Sequence, residues 1–350
     1  MPSYSNLITD KELLDFSQTF SVVRNRLGSR LFPDRKVEHI KIEYSRLVRN
    51  GNLPVSAAVH ALDTEARIAS RVPFENIETE KLLIKEKINV SESVERVTNG
   101  LEMDSVKEYV FDDIARMAEA VVTRAEIAKM DVLTKGKMVI KENGLNFEVD
   151  FGLPAENKVT GNWGASANVL SDIRKWYNVA EASGQAPTQA VTSRAVLTDM
   201  MANESIQKAI FGTTGAGTLP SLEQINSLLS SQFDGLTLSV NEEKYGTIAT
   251  NEGKVLVKAN RFFPKKKFVM FSTSNDAMGA GIWGVTPEEI AQGGAFTEKR
   301  QQQFVTVTQW DTPDPVAHWT KASGMFVPAL FNPYGLVIAE VTSPSADSEG

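Results

Sequence analysis

The sequence predicts an α+β protein built around one dominant helix. Three observations carry that expectation. A stretch of about thirty residues centred near position 120 keeps a helical apolar stripe with no glycine or proline inside it. A charge-dense segment before it has no core-forming pattern. After it, short helices alternate with strands and then give way to strands alone.

The chain has 350 residues, 42% hydrophobic and 23% charged, enough to build one large domain or two ordinary ones. No apolar run approaches the roughly 18–20 residues that a membrane-spanning helix needs. The N-terminus, MPSYSNLITDKELLDF, has no basic patch followed by an apolar stretch, so it does not read as a secretory signal. Cysteine is absent, which excludes disulfides, thiol nucleophiles and cysteine metal sites. The net charge of −7 argues against a dedicated nucleic-acid binder, which would present a basic face to displace counterions.

Taken in order, Thr9 and Asp10 can cap a first helix whose stripe is Leu13, Phe16, Phe20, Val23, Leu27 and Leu31, stopped at Phe32-Pro33-Asp34. This helix is either ordinary core or an arm lying on a neighbouring molecule. Residues 36–60 alternate as strands, with a turn at Asn50-Gly51-Asn52. Residues 61–100 are dense in charge and poor in large apolar side chains. They are expected to form a long two-stranded excursion with Glu80 to Val90 as the return strand. A solvated loop is the plainer alternative, but loops of this length in ordered domains are usually functional or disordered.

The long helix is expected from Asp104 to Leu133, about 45 Å at roughly 1.5 Å per residue. Its apolar stripe includes Val110, Ile114, Met117, Val121, Ala125 and Ala128. Charged residues, among them Arg116, Glu119, Arg124, Glu126 and Lys129, are assigned to its other faces. Lys135-Gly136-Lys137 should stop it. A hairpin follows, Met138–Lys141 and Asn146–Phe151 joined through Asn143-Gly144. Gly152 to Ala167 reads as a polar link. From 168 to 300 the pattern is α/β: a helix with Val169, Ile173, Trp176 and Ala180, a short strand at 190–192, a helix capped by Ser193, a helix at 222–229, and strands at 236–240, 254–257 and 267–272. The segment 303–342 is again strand-rich, and the tail SPSADSEG is polar.

The residues offer no catalytic constellation. His39, His60 and His318 are far apart, and none has a partner three to five residues away. GTTGAGTLP at 212–220 lacks the Gly-Lys-Ser/Thr ending of a phosphate loop. Ser272 has no GxSxG setting. Lys265-Lys266-Lys267 beside Phe262 and Phe263 is the most basic cluster, and reads as a solvated turn or a contact with acidic residues of a neighbour. The five tryptophans read as core or interface packing. No cofactor and no metal are expected.

The order of elements, together with Leu133-Thr134-Lys135-Gly136-Lys137, Phe147-Glu148-Val149-Asp150-Phe151-Gly152, Glu156-Asn157 and Asp172-Ile173-Arg174-Lys175-Trp176, resembles the lambda-type phage major capsid proteins, the capsid E group with the HK97-type fold. Asp314-Pro315, Ser323 and Pro328-Ala329-Leu330 look like that family's closing β-layer. The resemblance spans about residues 30–342 and is most specific over 104–176. It implies an N-terminal arm (1–45), an extended-loop region (46–100), a peripheral domain with spine helix and hairpin (101–162), an axial domain (163–300), a returning β-layer (301–342) and a flexible tail (343–350).

It further implies a non-enzymatic subunit that assembles with itself into hexamers and pentamers of an icosahedral shell around double-stranded DNA, with no sequence-specific grip and no membrane. Scaffolding, portal and decoration proteins are the implied partners. The implied location is the virion capsid, assembled in the host cytoplasm. Inter-subunit contact candidates are Phe16, Phe20 and Leu27 on the arm, Arg67, Arg71, Glu75, Glu78, Glu80 and Lys85 in the excursion, and Lys265, Lys266 and Lys267. The alternatives are a bacterial nanocompartment shell protein or an α/β enzyme of unknown type.

Overall fold

In chain order the computed structural model runs α1 (Leu27–Leu31), β1 (Asp34–Lys36), β2 (Lys41–Leu47), β3 (Phe74–Glu80), β4 (Leu82–Ser91), α2 (Met103–Lys135), β5 (Lys137–Glu142), β6 (Leu145–Asp150) and β7 (Lys158–Asn162). It continues with α3 (Val169–Ala182), β8 (Gln189–Thr192), α4 (Arg194–Ala202), α5 (Glu204–Phe211), α6 (Leu222–Gln232), β9 (Thr237–Val240), β10 (Lys244–Asn251), β11 (Lys254–Arg261) and β12 (Lys267–Phe271). The last elements are β13 (Gly279–Gly284), α7 (Pro287–Ala291), β14 (Thr306–Pro313), β15 (Val316–Leu330) and β16 (Leu336–Thr342). The structure describes residues 26–38, 41–47, 74–91, 103–142, 144–213, 217–251, 254–273, 277–291, 304–313 and 316–342.

Helix α2 forms because 33 residues contain neither glycine nor proline. Ile114, Met117, Ala118, Val121, Ala125, Ala128 and Val132 recur every three or four positions and are all buried. It is about 50 Å long at roughly 1.5 Å per residue. Gly136 ends it at φ +69°, its N–H donating to the Val132 carbonyl at 2.9 Å. A Cβ there would lie 2.7 Å from the Leu153 side chain. Backbone and packing both require glycine, as the Lys-Gly-Lys stop predicts.

By internal contacts the chain divides into two units, with the boundary inside α2: residues 1–42, 79–129 and 280–329, and residues 43–78, 130–279 and 330–350. In the first unit, β1 runs parallel to β13 with Asp34 opposite Gly281, and β13 neighbours β15. Strand β14 is antiparallel to β15, pairing Trp310 with Trp319. Strand β4 is antiparallel to β15 over ten pairs, from Leu82–Phe326 to Ser91–Ala317. The helix approaches this sheet at Gly324, where a Cβ would stand 2.9 Å from both Val121 and Trp283. The ring of Trp283 packs on Phe326 at 4.8 Å and stacks on Phe304 at 5.6 Å.

The second unit holds a mixed sheet ordered β7-β16-β12-β8-β9. Helices α3 to α6 bury Ile173, Trp176, Val196, Met200, Ile206, Ile225 and Leu229 in one core with Phe268, Val337 and Val341. Trp163 stacks on Trp176 with centroids 5.4 Å apart and meets the edge of Phe268 at 5.2 Å. Ser193, as expected, caps α4 by accepting from Val196 N. Ser221 and Gln224 form a reciprocal capping box on α6. The strand pairs β2–β3, β5–β6 and β10–β11 are each two-stranded.

Several expectations change in detail. The polar link 152–167 contains β7, which the sequence reading did not expect. It is a strand because it pairs in parallel with β16, Lys158 opposite Ile338 through Asn162 opposite Thr342. Strand β13, Gly-Ala-Gly-Ile-Trp-Gly, is likewise a strand despite three glycines. A Cβ on Gly281 would lie 2.8 Å from Lys129 Cε and 3.0 Å from Phe326, and one on Gly284 would lie 2.7 Å from Lys81. Strand β10 and helix α5 were also not expected. Of the first predicted helix, residues 26–31 fall within the described residues: Arg26 is extended, with φ −82° and ψ 152°, and a separate short helix starts at Leu27 instead of running through it.

Candidate functional site

Two polar clusters in the first unit hold the described ends of the segments that the sequence marks as reaching outward. The first is built where α1 and β1 meet α2. Glu126 is 1% exposed and Lys129 is 1% exposed, although their charge assigned them to the outer faces of the helix. Glu126 accepts from the Gly28 N–H at 2.7 Å and from the Ser29 hydroxyl at 2.9 Å. Gly28 has no space for a side chain, because a Cβ would lie 2.6 Å from Glu126 Oε1. Lys129 Nζ donates to Asp34 Oδ1 at 2.8 Å, and the Trp283 indole N–H reaches the same oxygen at 2.8 Å. Arg26 donates to Thr123 Oγ1 at 3.1 Å and lies 3.8 Å from Glu119. Burial pushes the Glu126 carboxyl above the usual range, against the opposing pull of Lys129, Ser29, the Gly28 N–H and Arg26.

The second cluster surrounds α7. Thr286 caps this short helix, accepting from the Glu289 N–H at 3.2 Å and bonding Thr306 Oγ1 at 3.0 Å. Glu289 receives Lys36 of β1 at 2.7 Å. Glu288 receives Lys321 of β15 at 2.8 Å, Lys85 of β4 at 3.1 Å and the Ser323 hydroxyl at 3.1 Å. Burial raises the Glu288 carboxyl, but hydrogen bonds from Lys321, its own backbone N–H and Lys85 outweigh it and bring it down to about 2. Lys81, between β3 and β4, donates to the Val37 carbonyl, and burial lowers its ammonium to about 8. Three segments of the chain are thus tied to one five-residue helix by charge.

The predicted contact residues distribute unevenly. Phe16, Phe20, Arg67 and Arg71 lie outside the described residues. Glu75 and Glu78 fall on β3, with side chains outside the described set, and Glu80 ends that strand exposed. Leu27 is buried at 9% exposure within its own unit. Lys85 is half-exposed and paired with Glu288. Lys265 and Lys266 form the expected turn before β12, their carbonyls accepting from Ser193 Oγ at 2.6 Å and Val341 N at 2.7 Å. Lys267 donates to Glu340 at 2.9 Å. The structure therefore brings Lys85 together with Glu288 and Lys321, which the sequence reading did not single out as contacts, and with Ser323, which it named only for the family resemblance. The signal available for it was slight: Pro287-Glu288-Glu289 after a threonine is an N-capped acidic first turn.

The family described as phage major capsid protein E matches residues 11–341. Among solved structures, a protein of an Escherichia coli CFT073 prophage, assigned as its capsid protein, is similar over 93% of this chain and 95% of its own, with 14% identity and a TM-score of 0.57. A phage-related protein from Bordetella bronchiseptica RB50 is similar over 95% and 97%, with 11% identity and a TM-score of 0.54. At such identities the likeness is one of fold. No curated protein matches the sequence. With its long uninterrupted helix, its mixed helix-and-sheet architecture and a family match over nearly its whole length, the chain has the HK97-type capsid fold and belongs to the phage major capsid protein E family.

Proposed function

We propose that this capsid protein works entirely through contacts between copies of itself, closing hexamers and pentamers into an icosahedral shell around double-stranded DNA, and that it catalyses no reaction. In this reading residues 1–45 act as an arm, 46–100 as an extended loop over a neighbour, 101–162 and 301–342 as the peripheral domain, and 163–300 as the axial domain, with 343–350 as a tail. The arm residues Phe16, Phe20 and Leu27, the excursion residues Arg67, Arg71, Glu75, Glu78, Glu80 and Lys85, and Lys265 to Lys267 are the proposed contributors to those contacts. Scaffolding protein, portal and a decoration protein are the proposed partners, and the host cytoplasm is the proposed place of assembly.

The observation that carries the reading is the contrast between β4 and the strands before it. Strand β4 is held by ten pairs to β15 and by Lys85 to Glu288. Strands β2 and β3 pair, among the described strands, with each other. A two-stranded ribbon alone is marginally stable in water and gains most from a partner. Replacing 43–78 by a short Gly-Ser linker keeps β4 whole. The expected outcome is a folded subunit, by circular dichroism and thermal melting, that yields no closed shells by negative-stain electron microscopy. Normal shells from that variant would overturn the assignment of the excursion.

A further inference from the structure

The second unit carries another two-stranded element, the β10–β11 ribbon, that the sequence reading did not mark as a contact. Its register is regular over eight pairs, from Lys244–Arg261 to Asn251–Lys254. At its root Tyr245 packs on Phe262 at 4.8 Å, and Arg261 pairs with Glu242. Beyond the root Gly246, Thr247, Val257, Lys258 and Ala259 are exposed, and Asn260 is half-buried. Thr247, Lys258 and Asn260 share one face, where Asn260 Nδ2 donates to Thr247 Oγ1 at 2.7 Å. The other face presents Gly246, Val257 and Ala259. Val257 is 73% exposed and lies across Gly246, where a Cβ would meet it at 2.7 Å. The result is a flat apolar strip with Lys244 at its base.

Two features say what meets it. Residues 244–261 contain three lysines, one arginine and one glutamate, a formal +3 in a chain of −7; Arg261 is met by Glu242 at the root, so the lysines are the charge the ribbon offers, and the remainder of each copy carries −10. A second copy is therefore an acidic partner for a basic ribbon. The size also fits a repeated contact. Eight residues at about 3.3 Å each, across two strands about 4.8 Å apart, give a face of roughly 260 Å². That is well short of the roughly 800 Å² per partner of a stable pairwise interface, and suits a surface in which many modest contacts close a ring.

We propose that the β10–β11 ribbon is a docking surface for a second copy of this chain, its apolar strip covered and its lysines met by carboxylates of that copy. The inference rests on the shell-building reading above. The test places a photo-crosslinking phenylalanine derivative at position 257 in the full chain and assembles it. The expected result is covalent dimers of the chain from assembled particles and none from dissociated subunits. In parallel, Lys244→Glu with Lys258→Glu should leave the thermal melt within a few degrees of wild type while lowering shell yield at least ten-fold.

Intact shells at wild-type yield from the double variant, or crosslinks from position 257 only to another protein or to DNA, overturn the inference. Should the double variant misfold, the crosslink alone decides. A wild-type chain that forms no particles at all would instead overturn the shell-building reading itself.

Discussion

Removing Asp34 tests the buried charge cluster most directly. In the wild type, Lys129 Nζ sits 2.8 Å from Asp34 Oδ1 with side-chain exposures of 2% and 25%. Its other neighbours include the Ser29 hydroxyl at 3.5 Å, the Phe326 ring at 5.6 Å and the Glu126 carboxyl, on whose charge it acts. Asp34→Ala leaves the ammonium buried without its hydrogen-bonded carboxylate, facing only the more distant charge of Glu126, and takes an acceptor from the Trp283 N–H. Breaking a buried pair by removing one partner costs about 3–5 kcal/mol. Water can enter where Asp34 was a quarter exposed, so the lower end applies, about 3 kcal/mol, or roughly a hundred-fold in the folding equilibrium.

Lys129→Met costs less, about 1–2 kcal/mol, because Asp34 keeps the indole donor and some water. The double variant removes both charges, and its cost should fall short of the sum of the two by about 2 kcal/mol. Urea unfolding of the dissociated subunit, followed by tryptophan fluorescence, supplies the cycle. A coupling below about 0.5 kcal/mol would refute the placement of Lys129 in a dry pocket against Asp34.

Glu126 has a raised folded pKa, so its contribution is fully present below about 4.5 and is lost as pH rises through the folded value. Glu126→Gln should remove that slope and gain stability relative to wild type at neutral pH, whereas Glu126→Ala, which leaves the Gly28 N–H unpaired, should lose it. Urea midpoints at several pH values check both. Glu288 behaves oppositely: its carboxyl is held down at about 2, so its stabilisation is present above about 4.5 and disappears as pH falls through about 2. Glu288→Gln should cost about 1–2 kcal/mol at pH 7, after allowance for solvent screening, and almost nothing near pH 2. Gly161→Ala should cost about 1–3 kcal/mol and lower the melting temperature, because the new Cβ would lie 2.9 Å from the Trp176 ring.

Local rules were enough for the strongest elements. A glycine-free, proline-free stripe specified α2 to within two residues of each end. Asn143-Gly144 specified the β5–β6 hairpin, and Ser193 announced α4. These features depend on neighbours a few positions apart, so periodicity and capping chemistry carry them. The elements that were not legible depend on partners far along the chain. The polar β7 is a strand because β16 lies beside it, 180 residues later. Glycine-rich β13 exists because Lys129, Phe326 and Lys81 occupy the space where side chains would stand.

The same division runs through the candidate site. By itself the sequence determined the α+β class, the absence of cysteine chemistry and the family resemblance that the comparisons then bore out. Only the tertiary structure decided which charges are buried. Glu126 and Lys129 look like surface residues on a helical wheel, and they are interior because α1, β1 and Trp283 close over them and satisfy them. Lys85, Lys321 and Lys36 converge on Glu288 and Glu289 because strand register, not spacing in the chain, brings them to one short helix. Burial and pairing of charge are properties of long-range packing, and a pattern of nearest neighbours carries no record of them.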